Sequence, residues 1–118
     1  MAEKIENSNR SAGKLLQAAL RLRPDRIILG EVRGQEAATF VEAINTGHSG
    51  SFTTLHADSA RKALDRLALM ILSTGTRLEY TDVIRYLKGS IDVIIQTGRS
   101  GSDRGIQEVW FPKEDASA

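Results

Sequence analysis

The chain has 118 residues, enough for one domain with one hydrophobic core but too few for two. Hydrophobic residues make up 41% and charged residues 26% of the sequence, which excludes wholesale disorder and a fibrous protein. A formal net charge of +1 and few aromatic residues argue against direct nucleic-acid binding, and the absence of cysteine excludes disulfides and thiolate zinc sites.

The first predicted elements are a helix and a short strand. Residues 1–14 are polar and predict a loose lead-in. A short helix follows, and it should end near Arg23 because Pro24 disfavours helical backbone in the residue before it. Its apolar face consists of Leu15, Leu16, Ala19 and Leu20. The apolar run 27–29 is too short for a helix and predicts a strand covered on both faces, as in parallel sheets.

An amphipathic helix should join this strand to a second one. The helix begins after Gly34 and stops at Gly47. Its apolar positions, spaced i, i+3, i+4 and i+7, are Ala37, Phe40, Val41 and Ile44. Residues 51–55 are rich in β-branched and aromatic side chains and predict the second strand. One connecting helix implies that the two strands run parallel, so that their carboxyl ends lie at one edge of the sheet.

The C-terminal half predicts two helices and a pair of strands. Ser59 or Asp58 can cap a helix. The apolar stripe of this helix is Leu64, Leu67, Ala68, Ile71 and Leu72. After a loop at 73–79, a short helix should end at Gly89, and segments 91–96 and 106–110 read as strands joined by a glycine-rich hairpin loop. Residues 112–118 form a polar tail, which we expect to fray.

Two chemically active side chains directly follow the predicted parallel strands. Glu31 follows the first strand and His56 the second, so both should reach the same edge of the sheet. A carboxylate can orient a water or hold hydrated Mg²⁺, and an imidazole can donate a hydrogen bond to a terminal phosphate. From the residue pattern alone, the more common interpretation is a solvated strand-end acid and an ordinary loop histidine, because positions at this edge are often merely polar.

Glycines and arginines near these strands offer further candidates. The turn Gly47-His48-Ser49-Gly50 could leave backbone amides free for an anion, or it could simply end a helix and enter a strand. Arg33 could reach a phosphate or a neighbouring subunit. Two histidines without a supporting acid predict no zinc site. Gly13-Lys14 has Ser8 and Leu15 where a phosphate-binding P-loop requires glycine and a hydroxyl, so it is not a P-loop.

Two motifs resemble those of the secretion traffic ATPases, the RecA-like hexameric motors of type IV secretion, conjugal transfer, pilus and type II secretion systems. Residues 20–34, LRLRPDRIILGEVRG, resemble the Walker B region, and residues 47–57, GHSGSFTTLHA, resemble the His box. The residues of these motifs are most similar to those of the type IV secretion and conjugal-transfer branch of the family. The resemblance covers residues 15–111 and implies an α/β fold: a partial RecA-like P-loop NTPase sheet with flanking helices and a C-terminal antiparallel strand pair.

The resemblance also implies roles for individual residues. Glu31 matches the Walker B glutamate, which positions Mg²⁺ and the attacking water, and His56 matches the histidine that senses the γ-phosphate. The remaining nucleotide-proximal or phosphate-proximal positions are Gly30, Arg33, Gly47, His48 and Gly50. ATP and Mg²⁺ are the implied cofactors of the complete protein.

The resemblance finally implies a place in the cell and a larger parent. The parent would be a cytoplasmic homo-hexamer that lies peripherally on the inner-membrane face and contacts secretion or pilus components. Residues 15–111 would be the C-terminal half of the motor domain, without the Walker A loop, so we expect the isolated chain to be almost inactive and to self-associate through its unpaired strand edge. The alternative is a non-catalytic assembly module of a secretion apparatus.

Overall fold

The computed structural model describes the backbone of residues 8–115 and the side chains of residues 13–115. The expectations for residues 1–7 and 116–118 lie outside this range. In chain order the elements are α1 (Ser8–Arg21), β1 (Ile28–Leu29), α2 (Glu36–Asn45), β2 (Phe52–Thr53), α3 (Ala60–Leu72), α4 (Tyr80–Ser90), β3 (Ile94–Ser100), β4 (Asp103–Trp110) and a 3-10 helix (Pro112–Glu114). None of the helices in this range has the length and apolar character needed to cross a bilayer.

The strands form two separate pairs. β1 and β2 run parallel, with Ile28 opposite Phe52 and Leu29 opposite Thr53, which confirms the predicted crossover through α2. β3 and β4 run antiparallel, as predicted, with an irregularity in the register between Gln96 and Thr97. The structure is therefore an α/β fold with a parallel pair near its middle and an antiparallel pair at its C-terminal end.

Helix α2 lies between two groups of buried side chains. Its residues Ala37 and Val41 belong to the larger group, and Phe40 and Ala43 belong to the smaller one. The larger group is completed by Val32, Leu64, Leu67, Ala68, Met70, Ile71, Val83 and Leu87. The smaller group also contains Leu16 from α1 and Ile27 at the start of β1. The amphipathic pattern that predicts α2 thus supplies the contact between the N-terminal helix and the helices that follow β2.

One face of the parallel strand pair is not covered, contrary to the expectation for residues 27–29. Ile27 is buried, but the side chain of Ile28 is 64% exposed, and its cross-strand partner Phe52 is 57% exposed. Successive strand residues point to opposite faces, and only the face carrying Leu29 packs against the helices. A run of three apolar residues carries no alternation from which the uncovered face could be predicted.

The helix boundaries differ from the predictions at two positions. Helix α1 begins at Ser8 rather than near residue 15, because the polar residues before Leu15 include no proline and remain compatible with helical backbone. Helix α4 continues past Gly89 to Ser90, and the N–H of Ile91 donates to the carbonyl of Leu87. Gly89 therefore lies inside α4 and does not adopt the left-handed conformation with which a glycine commonly ends a helix.

The predicted glycine-rich loop between the last two strands is mostly paired. Gly98 pairs with Gly105, and the ladder continues to Ser100 and Asp103 before the chain turns. The side-chain amide of Gln107 occupies the position that a Cβ atom at residue 98 would take. Gly98 thus lies within a paired strand and not in a turn, and a side chain there would have to displace the exposed end of Gln107.

The first residues of the predicted polar tail belong to the fold. Pro112 is buried and begins the 3-10 helix. The Asp115 carboxylate accepts hydrogen bonds from Trp110 Nε1, at 3.0 Å, and from the Arg61 guanidinium. These hydrogen bonds and the buried side chain of Pro112 hold residues 112–115 against β4 and α3, although most of these residues are polar.

Side chains in the turn before β2 tie the two parallel strands together at their amino ends. Ser51 Oγ accepts the N–H of Ile27 at 2.6 Å and donates to the carbonyl of His48 at 2.6 Å. His48 Nδ1 lies 2.9 Å from the carbonyl of Pro24. The side-chain hydroxyl of Ser51 thus gives a hydrogen-bond partner to the backbone N–H of the buried residue Ile27, which precedes the first paired residue of β1.

Replacing a leucine in the core should destabilise the chain far more than replacing one on its surface. Leu87 is 0% exposed and Leu69 is 60% exposed. Leu87→Ala should lower the free energy of unfolding by about 2–5 kcal/mol, because it removes buried apolar surface and leaves a cavity. Leu69→Ala should change the free energy of unfolding by about 0.5 kcal/mol or less. Urea unfolding followed by circular dichroism measures both, and equal effects would contradict the assigned core.

The Ser51 contacts can be tested against a neighbouring serine. Ser51→Ala leaves the N–H of Ile27 without its partner and should cost roughly 1–3 kcal/mol in unfolding free energy. Ser49 lies exposed in the same turn, so Ser49→Ala should change the unfolding free energy by about 0.5 kcal/mol or less. The same urea titration applies, and a Ser51→Ala variant as stable as Ser49→Ala would refute the structural role of this hydroxyl.

Candidate functional site

The main chains that leave β1 and β2 stay side by side beyond the last ladder pair. The N–H of Val32 donates to the carbonyl of Thr54 at 2.9 Å. Thr54 Oγ1 donates in turn to the carbonyl of Gly30 at 2.7 Å. Because the strands are parallel neighbours, these bonds hold the two carboxyl-terminal extensions together at one edge of the sheet.

These extensions bring Glu31 and His56 into contact. His56 Nε2 lies 3.3 Å from Glu31 Oε2, and Arg33 Nη2 donates to Glu31 Oε1 at 3.1 Å. The exposed fraction of the side chain is 25% for Glu31, 64% for Arg33 and 88% for His56. A partly shielded carboxylate thus lies between two accessible nitrogen-bearing groups, one of them from each strand extension.

The charge state of Glu31 follows from these neighbours. The hydrogen bond from Arg33 is the main cause that lowers the pKa of the Glu31 carboxyl below its usual value. Partial burial opposes this shift, whereas the charges of Arg33, His56 and Arg66 add to it. Glu31 is therefore ionised at neutral pH and acts as a hydrogen-bond acceptor, not as an acid.

Glu36 fixes the segment that carries Glu31 and Arg33, and it was not among the residues that the sequence predicted for the site. Its side chain is buried, and Oε2 accepts the N–H of Arg33 at 2.8 Å. An acid in the first turn of a helix is favoured by the helix dipole and can reach back to an earlier N–H. The signal in the sequence was an acidic residue two positions after Gly34, at the predicted start of α2.

The antiparallel pair holds the segment that follows His56. Gln96 Nε2 donates to the carbonyl of Ala57 at 3.0 Å, and Glu108 Oε1 accepts the N–H of Ala60 at 3.1 Å. Both side chains come from strands about forty residues or more further along the chain, so no local pattern predicts these contacts.

The remaining predicted site residues divide between the two ends of the parallel pair. Gly30 lies beside Glu31, and a side chain there would meet open space. Gly47, His48 and Gly50 lie in the turn before β2, at the amino ends of the strands and away from Glu31. Gly47 and Gly50 have φ angles of 115° and 86°, where glycine is favoured. The structure thus brings Glu31, His56, Arg33 and Gly30 together but not the turn.

The donor set at this edge suits Mg²⁺ bound together with a phosphate ligand. Within residues 8–115 there is no group of three or more His, Cys, Asp or Glu side chains that could hold a metal by themselves. Mg²⁺ in nucleotide enzymes uses one or two carboxylates, waters and substrate phosphates. The ionised, partly exposed carboxylate of Glu31 fits that requirement.

Comparison with known sequences places these residues in a family. The family model of type II/IV secretion system proteins matches residues 4–100. The chain is 39% identical over 115 residues to the type IV secretion system protein VirB11 of Brucella suis, an alignment that covers 93% of this chain and 32% of that protein. It is 40% identical to the type IV secretion system protein PtlH of Bordetella pertussis, with 86% of this chain and 31% of that protein covered.

The conjugal transfer protein TrbB of Rhizobium radiobacter is 41% identical over 96 residues, which cover 81% of this chain and 28% of that protein. The fold matches the crystal structure of the VirB11 ATPase from the Brucella suis type IV secretion system in complex with sulphate. That match has a TM-score of 0.79 at 39% identity and covers 86% of this chain and 32% of that one. The chain thus spans about a third of the length of the relatives it matches. Its sequence and fold together establish that it belongs to the family of type II/IV secretion system proteins.

Proposed function

We propose that the chain is part of a hexameric ATPase that powers type IV secretion, conjugal transfer or related pilus assembly by hydrolysing ATP. The observation that carries this proposal is the contact between Glu31 and His56 at the carboxyl edge of two parallel strands. Ligands of open α/β sheets bind at this edge. Membership of the secretion family supports the same assignment.

Glu31 would act on the water that attacks the terminal phosphate. An ionised carboxylate accepts a hydrogen bond from water and orients it, and the low pKa of Glu31 keeps this acceptor available at neutral pH. Arg33 would hold the carboxylate in one orientation through its hydrogen bond to Oε1. Mg²⁺, when bound, would supply positive charge to the phosphate groups, and Glu31 would hold it through a water.

His56 would recognise the terminal phosphate. Its ring is mostly exposed and meets Glu31 through Nε2, so a modest rotation about its side-chain bonds turns this nitrogen outward as a donor. Gly30 would let the phosphate group approach the backbone, since it has no side chain and no other atom lies within 4 Å of the position that a Cβ atom would take. The turn that contains Gly47, His48 and Gly50 would act from the opposite end, by fixing β2 through Ser51.

The parent protein would work as a cytoplasmic homo-hexamer that lies peripherally on the inner-membrane face. Its partners would be the membrane components of the secretion or pilus apparatus, as the relatives' assignment to type IV secretion systems suggests. The 118 residues contain no P-loop sequence, whose backbone amides and lysine cradle the β- and γ-phosphates. By themselves they would therefore hydrolyse ATP slowly or not at all.

A chimeric protein tests the catalytic role of Glu31. In the Brucella suis VirB11 ATPase, this chain would replace the third of the sequence that it matches. Glu31→Gln should lower the ATPase rate of the chimera by about 10²-fold or more, because the neutral amide offers one acceptor oxygen instead of two to the attacking water and no negative charge to hold Mg²⁺. Steady-state phosphate release measures the rate.

The matched control for this experiment is Glu42→Gln, which changes an exposed acid on α2 and should leave the rate unchanged. Equal rates for Glu31→Gln and the unaltered chimera would refute the proposal. The chain on its own provides a second check, since Glu31-dependent ATP hydrolysis by the 118 residues alone would contradict the need for a P-loop.

The pKa of Glu31 provides a test that does not require activity. Arg33→Gln removes the hydrogen bond that is the main cause of the low value, so the pKa of Glu31 should rise toward the usual range. Carbon-13 NMR of the side-chain carboxyl during a pH titration measures it, with Lys62→Gln on the exposed face of α3 as control.

The stability that the hydrogen bond between Arg33 and Glu31 contributes should also depend on pH, in a direction that the lowered pKa of Glu31 fixes. A carboxyl whose pKa is lowered in the folded state adds stability above its unfolded pKa and loses it as the pH falls through the folded value. The stability difference between the wild type and Arg33→Gln should therefore shrink on acidification. A difference that stays constant or grows would show that Arg33 acts on stability by another route.

A further inference from the structure

The side chain of His56 has little packing of its own to hold it in place. It is 88% exposed, and the polar contact recorded for it is the one with Glu31, at 3.3 Å. Its position therefore depends on the backbone on either side of it. Before His56, the carbonyl of Thr54 accepts the N–H of Val32, and Leu55 packs against the larger group of buried side chains. These contacts fix the chain as far as Leu55.

After His56 the chain is held by two side chains of the hairpin that β3 and β4 form. Gln96 Nε2 donates to the carbonyl of Ala57 at 3.0 Å, and Glu108 Oε1 accepts the N–H of Ala60 at 3.1 Å. Gln96 and Glu108 lie directly opposite each other in the ladder. One cross-strand pair therefore holds both ends of the segment that leads from His56 into α3.

This cross-strand pair lies on the face of the hairpin that packs against the helices. The next pair on the same face, Ile94 and Trp110, is partly buried against the larger group. A polar side chain that is shielded from water costs free energy unless it is hydrogen-bonded. Gln96 and Glu108 are both only partly exposed, and the segment after His56 supplies their partners. The polar character of this pair thus matches the loop that it holds.

An irregularity of the ladder lies directly beside the same pair. Gln96 is opposite Glu108 but Thr97 is opposite Ile106, so Gln107 is the extra residue of a β-bulge. Bulges bend a strand and re-aim its side chains, and they are frequent next to active sites. Gln107 is exposed, and its amide donates to a carbonyl within the hairpin. It is a glutamine of the same hairpin that can serve as a matched control.

Glu108 also caps helix α3 from outside the helix. Ser59 Oγ accepts the N–H of Lys62, whereas the N–H of Ala60 donates to Glu108. The first N–H groups of a helix have no partner within it, and negative charge is favoured at this end. The start of α3 is therefore tied to β4 as well as to its own cap residue.

We propose that Gln96 and Glu108 are positioning residues of the candidate site, which hold His56 where it meets Glu31 and can reach the terminal phosphate of ATP. Both act through the backbone of residues 57–60 and do not themselves have to touch the nucleotide. The step to ATP rests on the proposed function, whereas the effect on the contact between His56 and Glu31 rests on the hydrogen bonds alone.

Nuclear magnetic resonance of the 118-residue chain tests this positioning without ATP. Gln96→Met keeps an unbranched side chain but removes the donor to Ala57. The nuclear Overhauser effect between the His56 ring and the Glu31 side chain should therefore weaken or be lost. Gln107→Met is the matched control and should leave it unchanged, with circular dichroism verifying the fold of both variants. Equal signals in Gln96→Met and Gln107→Met would overturn the proposal.

Two variants of Glu108 provide an independent test on the same chain. Glu108→Gln keeps an oxygen that can accept the N–H of Ala60, whereas Glu108→Met does not. Hydrogen exchange of the Ala60 amide should become about tenfold faster in Glu108→Met and roughly threefold faster in Glu108→Gln. The contact between His56 and Glu31 should be weakened in the methionine variant and largely restored in the glutamine variant. Weakening in neither variant, or to the same extent in both, would contradict the positioning role.

The chimera with the Brucella suis VirB11 ATPase tests the step that depends on the proposed function. Gln96→Met should lower kcat about tenfold, because a small misplacement of a group that recognises phosphate is costly. The affinity for ADP should stay unchanged, since ADP lacks the γ-phosphate that His56 would meet. In a His56→Ala background, Gln96→Met should lower kcat no further, because both changes then act on one contact.

The possible outcomes separate this inference from the proposed function. Equal kcat for Gln96→Met and Gln107→Met, a parallel loss of ADP affinity, or a further loss of kcat in the His56→Ala background would overturn the positioning role in catalysis. A chimera whose rate does not respond to Glu31→Gln would instead refute the proposed function. In that case the resonance measurements on the 118-residue chain still decide whether the hairpin positions His56.

Discussion

The parallel pairing of β1 and β2 is the interaction on which the candidate site depends. Only two ladder positions are paired, yet the bonds between Val32 and Thr54 and between Thr54 and Gly30 continue the alignment beyond them. Without this continuation, Glu31 and His56 would lie on two independent loops. Their 3.3 Å contact thus follows from one backbone hydrogen bond and one bond from the Thr54 hydroxyl, and the side chains of Glu31 and His56 take part in neither.

Side chains outside β1 and β2 also fix the backbone segments that carry Glu31 and His56. The buried carboxylate of Glu36 holds the backbone of Arg33, and Gln96 in β3 holds the backbone of Ala57. Each bond satisfies a backbone group next to a residue of the site, so the cost of ordering the two loops is shared with the folding of α2 and the hairpin. The antiparallel pair thereby supports the Glu31 edge although it forms a separate sheet.

The electrostatic character of the Glu31 edge follows from the two strand extensions that form it. Arg33 donates the hydrogen bond that is the main cause of the lowered pKa of the Glu31 carboxyl, and the charges of Arg33, His56 and Arg66 act in the same direction. The carboxylate among these nitrogen-bearing side chains is ionised at neutral pH and can accept further hydrogen bonds.

By itself the sequence determined the order and type of the elements, the parallel direction of β1 and β2, and the positions of Glu31 and His56 after them. These features depend on periodicity and turn residues within a few positions, which is why α2 and the Ser59 cap of α3 were predictable. Only the tertiary structure decided that Ile28 is exposed and that Gly98 is paired. Those outcomes depend on which residues, distant in sequence, pack against each position, and local patterns carry no information about them.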